Sequence, residues 1–379
     1  MSVMLKTSSP KVIAIDQGNR SIKTVNYSFI AGFERSGNTF GVKSDDILMY
    51  EGKTYVLSEN GRIPQRTDKT ADEDYFILSL FAIGKELLYT SSKTTEINSL
   101  QSYPRNKKGA IEIVLLIGTP PGQYQTLASK YVQYFKDKGQ ISFNLGGMSI
   151  CVEVVEVQAY PQAYAGAIAE QKQFSSLDVV NVVDIGGGTA DCMRLLENLK
   201  IDTSVLKSLE GKDVGVNALF NQINDKARTL GAKNIPDTTI EGILRNNPIH
   251  LENASTERKS LIYDETMDYV AKMLKIIEEQ AGIDFREDTT LFIGGGALLL
   301  KRYIEEINLV NRPIFTSSDR INAIGYELIY NLSINNEDEE ITEAPSTLEA
   351  QKMPVSPEVS IVDTAKEISN INDVSKAKK

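Results

Sequence analysis

Two aspartate–glycine loops, 168 residues apart, constrain this chain more than any other feature. The first lies in V-I-A-I-D-Q-G-N-R-S-I-K, with Asp16, Gly18, Asn19, Ser21 and Lys23; the second lies in V-V-N-V-V-D-I-G-G-G-T-A-D, with Asp184, Gly186, Gly187, Gly188, Thr189 and Asp191. Each follows a short apolar run and precedes another β-prone run, which predicts a strand–turn–strand unit with its acid at the strand end. Glycine lets the backbone turn sharply and approach a ligand with its N–H groups aimed inward. An acid beside such a loop would repel a phosphate unless a metal ion lay between them, and Mg²⁺ favours a few carboxylates together with waters and phosphate oxygens. Two such loops facing each other would clamp a nucleoside triphosphate and its metal from both sides.

A third glycine run points the same way. Leu291-Phe292-Ile293 leads into Gly294-Gly295-Gly296 and then Ala297-Leu298-Leu299-Leu300-Lys301, a buried strand, a close-approach turn and a helix start. Exposed N–H groups at a helix start suit a nucleotide. Any one of these loops could be a tight turn in an α/β protein; three in this order are much harder to explain that way.

The chain has 379 residues, more than one core usually organises, so two domains are expected. A net charge of −10 supplies no basic field for direct DNA binding. Half of the acidic excess sits in residues 333–379, which hold ten acids and five Lys or Arg. Cys151 and Cys192 form no framework and lie in apolar runs, which reads as two buried, unreactive thiols in a reducing cytoplasm. His250 is the only histidine, so no His-based metal cluster can form, and by itself it makes no Ser–His–Asp triad; it reads as a loop residue. The N-terminus lacks an apolar stretch of signal-peptide length, and Ile113–Ile117 is far too short to span a bilayer, so no membrane association is expected.

Along the chain, turn signals fall at Ser36-Gly37-Asn38 and Glu59-Asn60-Gly61, helical periodicity covers Tyr75 to Tyr89, and polar 91–109 reads as a loop or partner surface. The near-continuous apolar run Ala110–Gly118 has the pattern of a fully buried strand. Thr119-Pro120-Pro121-Gly122 ends it and starts a helix to about Lys138, and Pro161 is expected to open a small-residue helix through Ala169. The second half repeats the scheme from near Leu177. Helices are expected from about Val214 and Thr238, over Ser255–Ala281 with Gly282 as its stop, after Gly296, and over Arg320–Leu332. From Ser333 the acids, prolines and Ser/Thr without aromatics have a disorder signature. The expected fold is α/β: residues 1–170 and 171–332 as two related lobes, each a mixed sheet flanked by helices, around a nucleotide cleft, and 333–379 as an acidic disordered tail.

The order of these loops resembles the actin/DnaK-type chaperone/sugar-kinase superfamily, over about residues 10–332. Asp16–Lys23 resembles its first phosphate motif, Asp184–Asp191 its second and Gly294–Ala297 its adenosine motif. Together with L-L-I-G-T-P-P-G-Q-Y, V-Q-A-Y-P-Q-A-Y-A-G and R-P-I-F-T-S-S-D-R-I-N-A-I-G-Y, the pattern looks most like the bacterial plasmid-segregation actins of the ParM type. The resemblance implies that Asp16 holds a water of the Mg²⁺ shell and that Lys23 neutralises the β-phosphate. Asn19 stands where that family more often has Ser or Thr, and its amide can still donate to a phosphate oxygen. Gly186, Gly187, Gly188 and Thr189 would cradle the β/γ-phosphates, with Asp184 near Mg²⁺ and the attacking water. Gln158 is the candidate for orienting that water. Gly211, Asp213, Gly215 and Asn217 would border ribose and adenine, together with Gly294, Gly295, Gly296 and Ala297. Gly325 would mark close backbone packing.

By this resemblance the chain is a slow ATP (or GTP) hydrolase with Mg²⁺, polymerising with itself into dynamic filaments and moving plasmid DNA through a ParR-type adaptor. A monomeric small-molecule kinase of the same fold would need a catalytic acid and a substrate pocket in the cleft. A chaperone-like ATPase would need a peptide-binding domain that the 47 residues after Leu332 are too few and too polar to build.

Overall fold

The computed structural model describes residues 9–343 apart from 36, 38, 64–65, 67 and 90–98. The signal at Ser36 and Asn38, residues 91–98 of the polar stretch 91–109, and the tail beyond residue 343 therefore lie outside the described residues. Nine strands form the first sheet: β1 Lys11–Gln17, β2 Ser21–Lys23, β3 Ser28–Ile30, β4 Gly32–Arg35, β5 Ile47–Tyr50, β6 Lys53–Arg62, β7 Ile111–Thr119, β8 Gln140–Leu145 and β9 Met148–Pro161. Five form the second: β10 Val180–Ile185, β11 Thr189–Leu196, β12 Lys200–Glu210, β13 Thr289–Ile293 and β14 Pro313–Phe315. The helices are α1 Asp74–Leu88, α2 Ser99–Ser102, α3 Tyr124–Lys136, α4 Tyr164–Glu170, α5 Val216–Thr229, α6 Asp237–Leu244, α7 Pro248–Asn253, α8 Thr256–Ala281, α9 Gly294–Ile307 and α10 Ile321–Glu343.

The two lobes share one topology, as the repeated loop implies. The first contains β3-β2-β1-β7-β9 and the second β12-β11-β10-β13-β14, each an antiparallel meander followed by two parallel strands. The parallel strands are the near-continuous apolar runs, buried on both faces because helices cover both sides. Strands β8, β5, β6 and β4 extend only the first sheet. The hairpin registers coincide as well: Asp16 pairs with Lys23, and Asp184 with Asp191. A seven-residue spacing therefore puts a cation opposite the first aspartate and a second acid opposite the other.

Each lobe has its own core. In the first, Tyr75, Phe76, Leu80 and Ile83 of α1 and Tyr131 and Phe135 of α3 pack on the sheet. In the second, α5, α8 and α9 do so. The side chain of Ser255 caps α8 through the Arg258 N–H at 3.3 Å, and Gly282, in the left-handed conformation at φ 70°, ends it.

A third apolar cluster joins the lobes. It gathers Ala14 and Leu116 from the first sheet, Val182 and Ile293 from the second, and the short helix α4 crossed by α10. The crossing is backbone to backbone. A Cβ on Gly325 would lie 2.0 Å from the Ala165 carbonyl oxygen, and one on Gly166 would lie 2.8 Å from Asn322 Oδ1. Gly325 thus occupies the close-packed position the sequence suggested.

Several expectations are corrected. The chain stays extended through Pro161 at the end of β9, and α4 begins only at Tyr164, after Ala163 at φ 59°. Glu59-Asn60-Gly61 lies within β6, beside a register shift in the β4–β6 pairing; a Cβ on Gly61 would meet the Phe33 carbonyl at 2.2 Å. His250 is on α7, packed against Gly242, and Cys151 is only half-buried whereas Cys192 is fully buried. Helix α10 runs to Glu343, past the expected end at Leu332, and it packs on α4, β1 and β7 of the first lobe. Residues 333–343 are therefore helical in the structure, and the closing helix is not part of the second lobe alone.

Candidate active site

The two Asp–Gly loops face each other where α4 and α10 cross between the sheets. Asp16 at the end of β1 and Asp184 at the end of β10 are both buried, and Lys23 on β2 is buried with them. Lys23 Nζ stands 3.4 Å from Asp16 Oδ2. Burial alone would lower the lysine, but Asp16, Asp184 and Asp319 together hold its pKa above the ordinary value, so it stays charged. Burial pushes Asp184 up, and Asp16 adds to this against the opposing pull of Lys23 and Asn322. Asp191 is pushed up to about 7, by burial first and then by Asp184, although Ser208 Oγ donates to it at 2.5 Å. The cluster holds more negative charge than Lys23 can offset. That is the electrostatic state a cation would relieve.

A side-chain amide is hydrogen-bonded to each aspartate, one from the turn before α4 and one from α10. Gln162 Nε2 donates to Asp16 Oδ1 at 2.6 Å, and Asn322 Nδ2 of α10 donates to Asp184 Oδ2 at 2.7 Å. Asn322 also accepts from the Ala163 N–H at 3.1 Å, which ties α10 to the start of α4. The cleft is thus wired to the inter-lobe crossing through two carboxamides that the sequence reading did not single out.

Gln158, the residue expected to orient water, is not among the residues lining this cleft. It sits on β9, opposite Leu116, where its amide donates to Glu156 Oε1 at 2.6 Å and accepts from Tyr160 OH at 2.5 Å. Because β9 continues through Pro161, the chain reaches Asp16 four residues later, and the glutamine in the cleft is Gln162.

The loops themselves are tight. In the second, Gly186 N–H donates to Thr189 O at 2.9 Å. The first N–H groups of α5 dock on it, Val216 to Gly186 O at 3.1 Å and Asn217 to Gly187 O at 2.8 Å. Gly215 enters α5 at φ 78°, and a Cβ there would lie 2.8 Å from Gly187 O and 2.9 Å from Thr189 N. Its part is to let α5 dock on the loop. In the first loop, Gly18 lies so close to the turn that a Cβ would sit 2.6 Å from Ser21 O. Asn19 Oδ1 receives Tyr75 OH at 2.7 Å and Lys69 Nζ, which fixes its carbonyl toward the first lobe, and Asn19 lines the cleft.

The space divides into neighbouring cavities. A narrow one of about 70 Å³ is lined by Asp16, Gly18, Asn19, Asp184, Gly187 and Thr189, room for phosphates but not for a nucleoside. It adjoins a cavity of about 250 Å³ that includes Gly295, Gly296, Leu299 and Asp319. Lys23, Ser21, Gly186 and Gly187 border both. Gly188, Gly211 and Asn217 border a wider opening of about 900 Å³. Gly294 and Ala297 are buried beneath the α9 start; a Cβ on Gly294 would meet Asp184 Oδ1 at 2.2 Å. Asp213 is not a lining residue of these cavities and pairs with Lys272 on α8 at 2.6 Å.

Arg20, unnoticed in the sequence though it sits inside the first motif, bridges the lobes. Its guanidinium reaches Glu241 of α6 at 3.0 Å, Asp237 at 3.5 Å and Asn217 at 3.2 Å, and lies 4.5 Å from the centre of the Phe220 ring. The chemistry of the donor set also fits a hydrated cation. Ser79 Oγ gives its proton to Tyr75 O, so it can only accept from Gln17 Nε2; the buried Gln17 Oε1 in the cleft then has no partner among the described residues. An acceptor placed there suits a metal-bound water. No group of three or more His, Cys, Asp or Glu among the described residues could cage a metal, so a cation would share its shell with waters and phosphate oxygens. No described helix is long and apolar enough to cross a membrane.

Comparison with known proteins agrees with this fold. Residues 179–314 match the family described as the Alp7A C-terminal domain. The fold matches that of a ParM subunit in a 15-stranded filament from Clostridium botulinum at 16% identity and a TM-score of 0.62, covering 84% of this chain and 98% of that one. An archaeal actin homologue in complex with ADP matches at 16% identity and 0.61, covering 85% and 99%. An AlfA filament bound to AMPPNP matches at 15% identity and 0.54, covering 87% and 99%. No curated protein matches the chain by sequence.

Proposed function

We propose that this chain, which has the fold of the ParM-type bacterial actins, is an ATPase. In this reading it assembles into nucleotide-dependent dynamic filaments and segregates plasmid DNA through a ParR-type adaptor. The observation that carries the reading is the facing pair Asp16 and Asp184, with Lys23 between them at the junction of two topologically equivalent lobes.

The parts then have definite tasks. Ser21, the Asn19 amide, the N–H groups of Gly187 and Gly188 and the Thr189 hydroxyl bind the phosphates, and Lys23 neutralises the β-phosphate. Asp16, Asp184 and Gln17 hold the water shell of Mg²⁺, which when bound would neutralise phosphate charge. Gly295 and Gly296 border the nucleoside; adenine rather than guanine is carried from the family. Gln162, hydrogen-bonded to Asp16, orients the attacking water. A carboxamide cannot act as a strong base, and phosphoryl transfer to water depends mainly on positioning and charge neutralisation, so slow hydrolysis suited to a timer follows. Closure of the cleft is felt by α4 and α10 through Gln162 and Asn322, which gives filament contacts on either lobe a mechanical link to the nucleotide. The charge of −10 suits DNA contact through an adaptor.

The test is pelleting and negative-stain imaging with ATP, GTP, ADP and a non-hydrolysable analogue, each with Mg²⁺. Filaments with a triphosphate and few with ADP support the reading. Persistent monomers that bind nucleotide tightly, or that transfer phosphate to a metabolite, count against it.

A further inference from the structure

We infer that Lys69 is a second phosphate-binding cation of the cleft, set to hold the terminal phosphate of a nucleoside triphosphate and so to distinguish triphosphate from diphosphate. The inference rests on the nucleotide reading above. It concerns a residue outside all three glycine motifs, in the segment between β6 and α1.

Three lysines are buried in the described structure: Lys23, Lys69 and Lys85. Lys23 is paired with Asp16, and Lys85 with Asp45 and Asp46 at 3.0 and 2.8 Å. Lys69 has no such partner among the described residues. Its Nζ is held by neutral acceptors only: Asn19 Oδ1, the Arg66 carbonyl at 2.6 Å and Tyr75 OH at 3.0 Å, with the Tyr75 ring centre at 4.3 Å. Its backbone N–H donates to the buried hydroxyl of Tyr131 at 2.7 Å, which fixes the segment on α3. A buried ammonium without a counter-charge is expensive, so such a site either loses its proton or awaits an anion.

Location identifies the anion. Lys69 lines the narrow phosphate-sized cavity together with Asp16, Gln162 and Thr189. It does not border the cavity at Gly295 and Gly296, which Lys23 also lines. Lys23 therefore stands between the nucleoside end and the phosphates, and Lys69 stands on the far side of it, beside Asn19. A polyphosphate entering from the α9 end passes Lys23 first and reaches Lys69 last.

The charge state agrees. Burial pulls Lys69 down to about 7, and Asp16, Asp191 and Glu210 oppose that only in part. The other titratable groups around it are Tyr75 of α1, Tyr131 of α3 and Arg66 on its own segment, and the tyrosines are pushed far above neutrality by burial. At pH 8 the empty site is then mostly uncharged, and an arriving terminal phosphate draws a proton onto Nζ.

The experiment is calorimetric titration of the full chain with Mg-ATP and Mg-ADP at pH 8, in two buffers of different ionisation enthalpy. Wild-type protein should take up close to one proton more with ATP than with ADP. Lys69→Met should abolish that difference and lower the ATP-to-ADP affinity ratio about 10-fold or more, with ADP affinity changed less than about 3-fold. Lys69→Gln should behave as Lys69→Met does. Equal proton uptake with the two nucleotides in wild-type protein overturns the inference even if the variants do not fold. So does an unchanged affinity ratio in a folded variant. If wild-type protein binds neither nucleotide, the nucleotide reading itself falls and this inference with it, an outcome distinct from binding without discrimination.

Discussion

A single methyl group at Gly325 tests how the fold and the cleft are joined. In Gly325→Ala the new Cβ would lie 2.0 Å from Ala165 O, 2.4 Å from Ala165 C and 3.1 Å from Ala165 Cα. These are backbone atoms of α4, so no rotamer change relieves the overlap. The helices must separate by about 1 Å or more, and an overpacked core position of this kind costs about 1–3 kcal/mol, with the upper part of that range fitting a rigid backbone contact. For a chain of this size that lowers a urea midpoint by about 1 M or less. Because α10 carries Asn322, the same displacement lengthens the 2.7 Å bond to Asp184, so nucleotide affinity falls as well. The control is Gly37→Ala, whose Cβ would meet nothing within 4 Å and whose cost should stay within about 0.5 kcal/mol. Urea unfolding and nucleotide titration of the two variants read both effects. Equal midpoints for the two would refute the backbone contact between α4 and α10. A lowered midpoint with unchanged nucleotide affinity would refute the coupling through Asn322.

Other perturbations separate the roles within the cleft. Gln162→Ala should slow phosphate release about 100-fold with nucleotide affinity within about 3-fold of wild type, whereas Gln158→Ala should hydrolyse normally; the reverse ranking would restore Gln158. Asp184→Ala should lose hydrolysis and retain or prolong triphosphate-dependent assembly, and unchanged phosphate release would remove Asp184 from the mechanism. Asp191 has a folded pKa raised to about 7, above the unfolded value near 4, so nucleotide-free protein loses stability as pH rises between the two. Asp191→Asn, which can still accept from Ser208, should therefore gain several degrees of melting temperature over wild type at pH 8 and little at pH 4; an equal difference at both values would show that the raised pKa is wrong.

The sequence carried the cleft in its spacing. Both hairpins have turns of the same length, so the residue seven positions after each acid pairs with it, and this is how Asp16 meets Lys23 and Asp184 meets Asp191. Long periodic runs likewise announced α1 and α8. What stayed hidden depends on tertiary placement. Pro161 reads locally as a helix opener, but pairing with β7 keeps it extended, and this moves the cleft glutamine from 158 to 162. Lys69 lies in no motif, and only its bonds to Tyr131 and Asn19 bring it to the narrow cavity between the two loops. The acids after Ser333 read as a solvated tail, yet α10 continues through them to Glu343. The resemblance implies that Asp213 borders the ribose and adenine; in the structure it pairs with Lys272 of α8.

In the proposed mechanism one nucleotide, held between the Asp16 and Asp184 loops, times the life of a filament. Simultaneous recording of light scattering and phosphate release after adding Mg-ATP tests it directly, in wild-type protein and in Gln162→Ala. Scattering should rise on ATP addition, decay with phosphate release in wild type, and hold a persistent plateau in the variant. Scattering that never rises, or that decays at the same rate when hydrolysis is slowed, would contradict it.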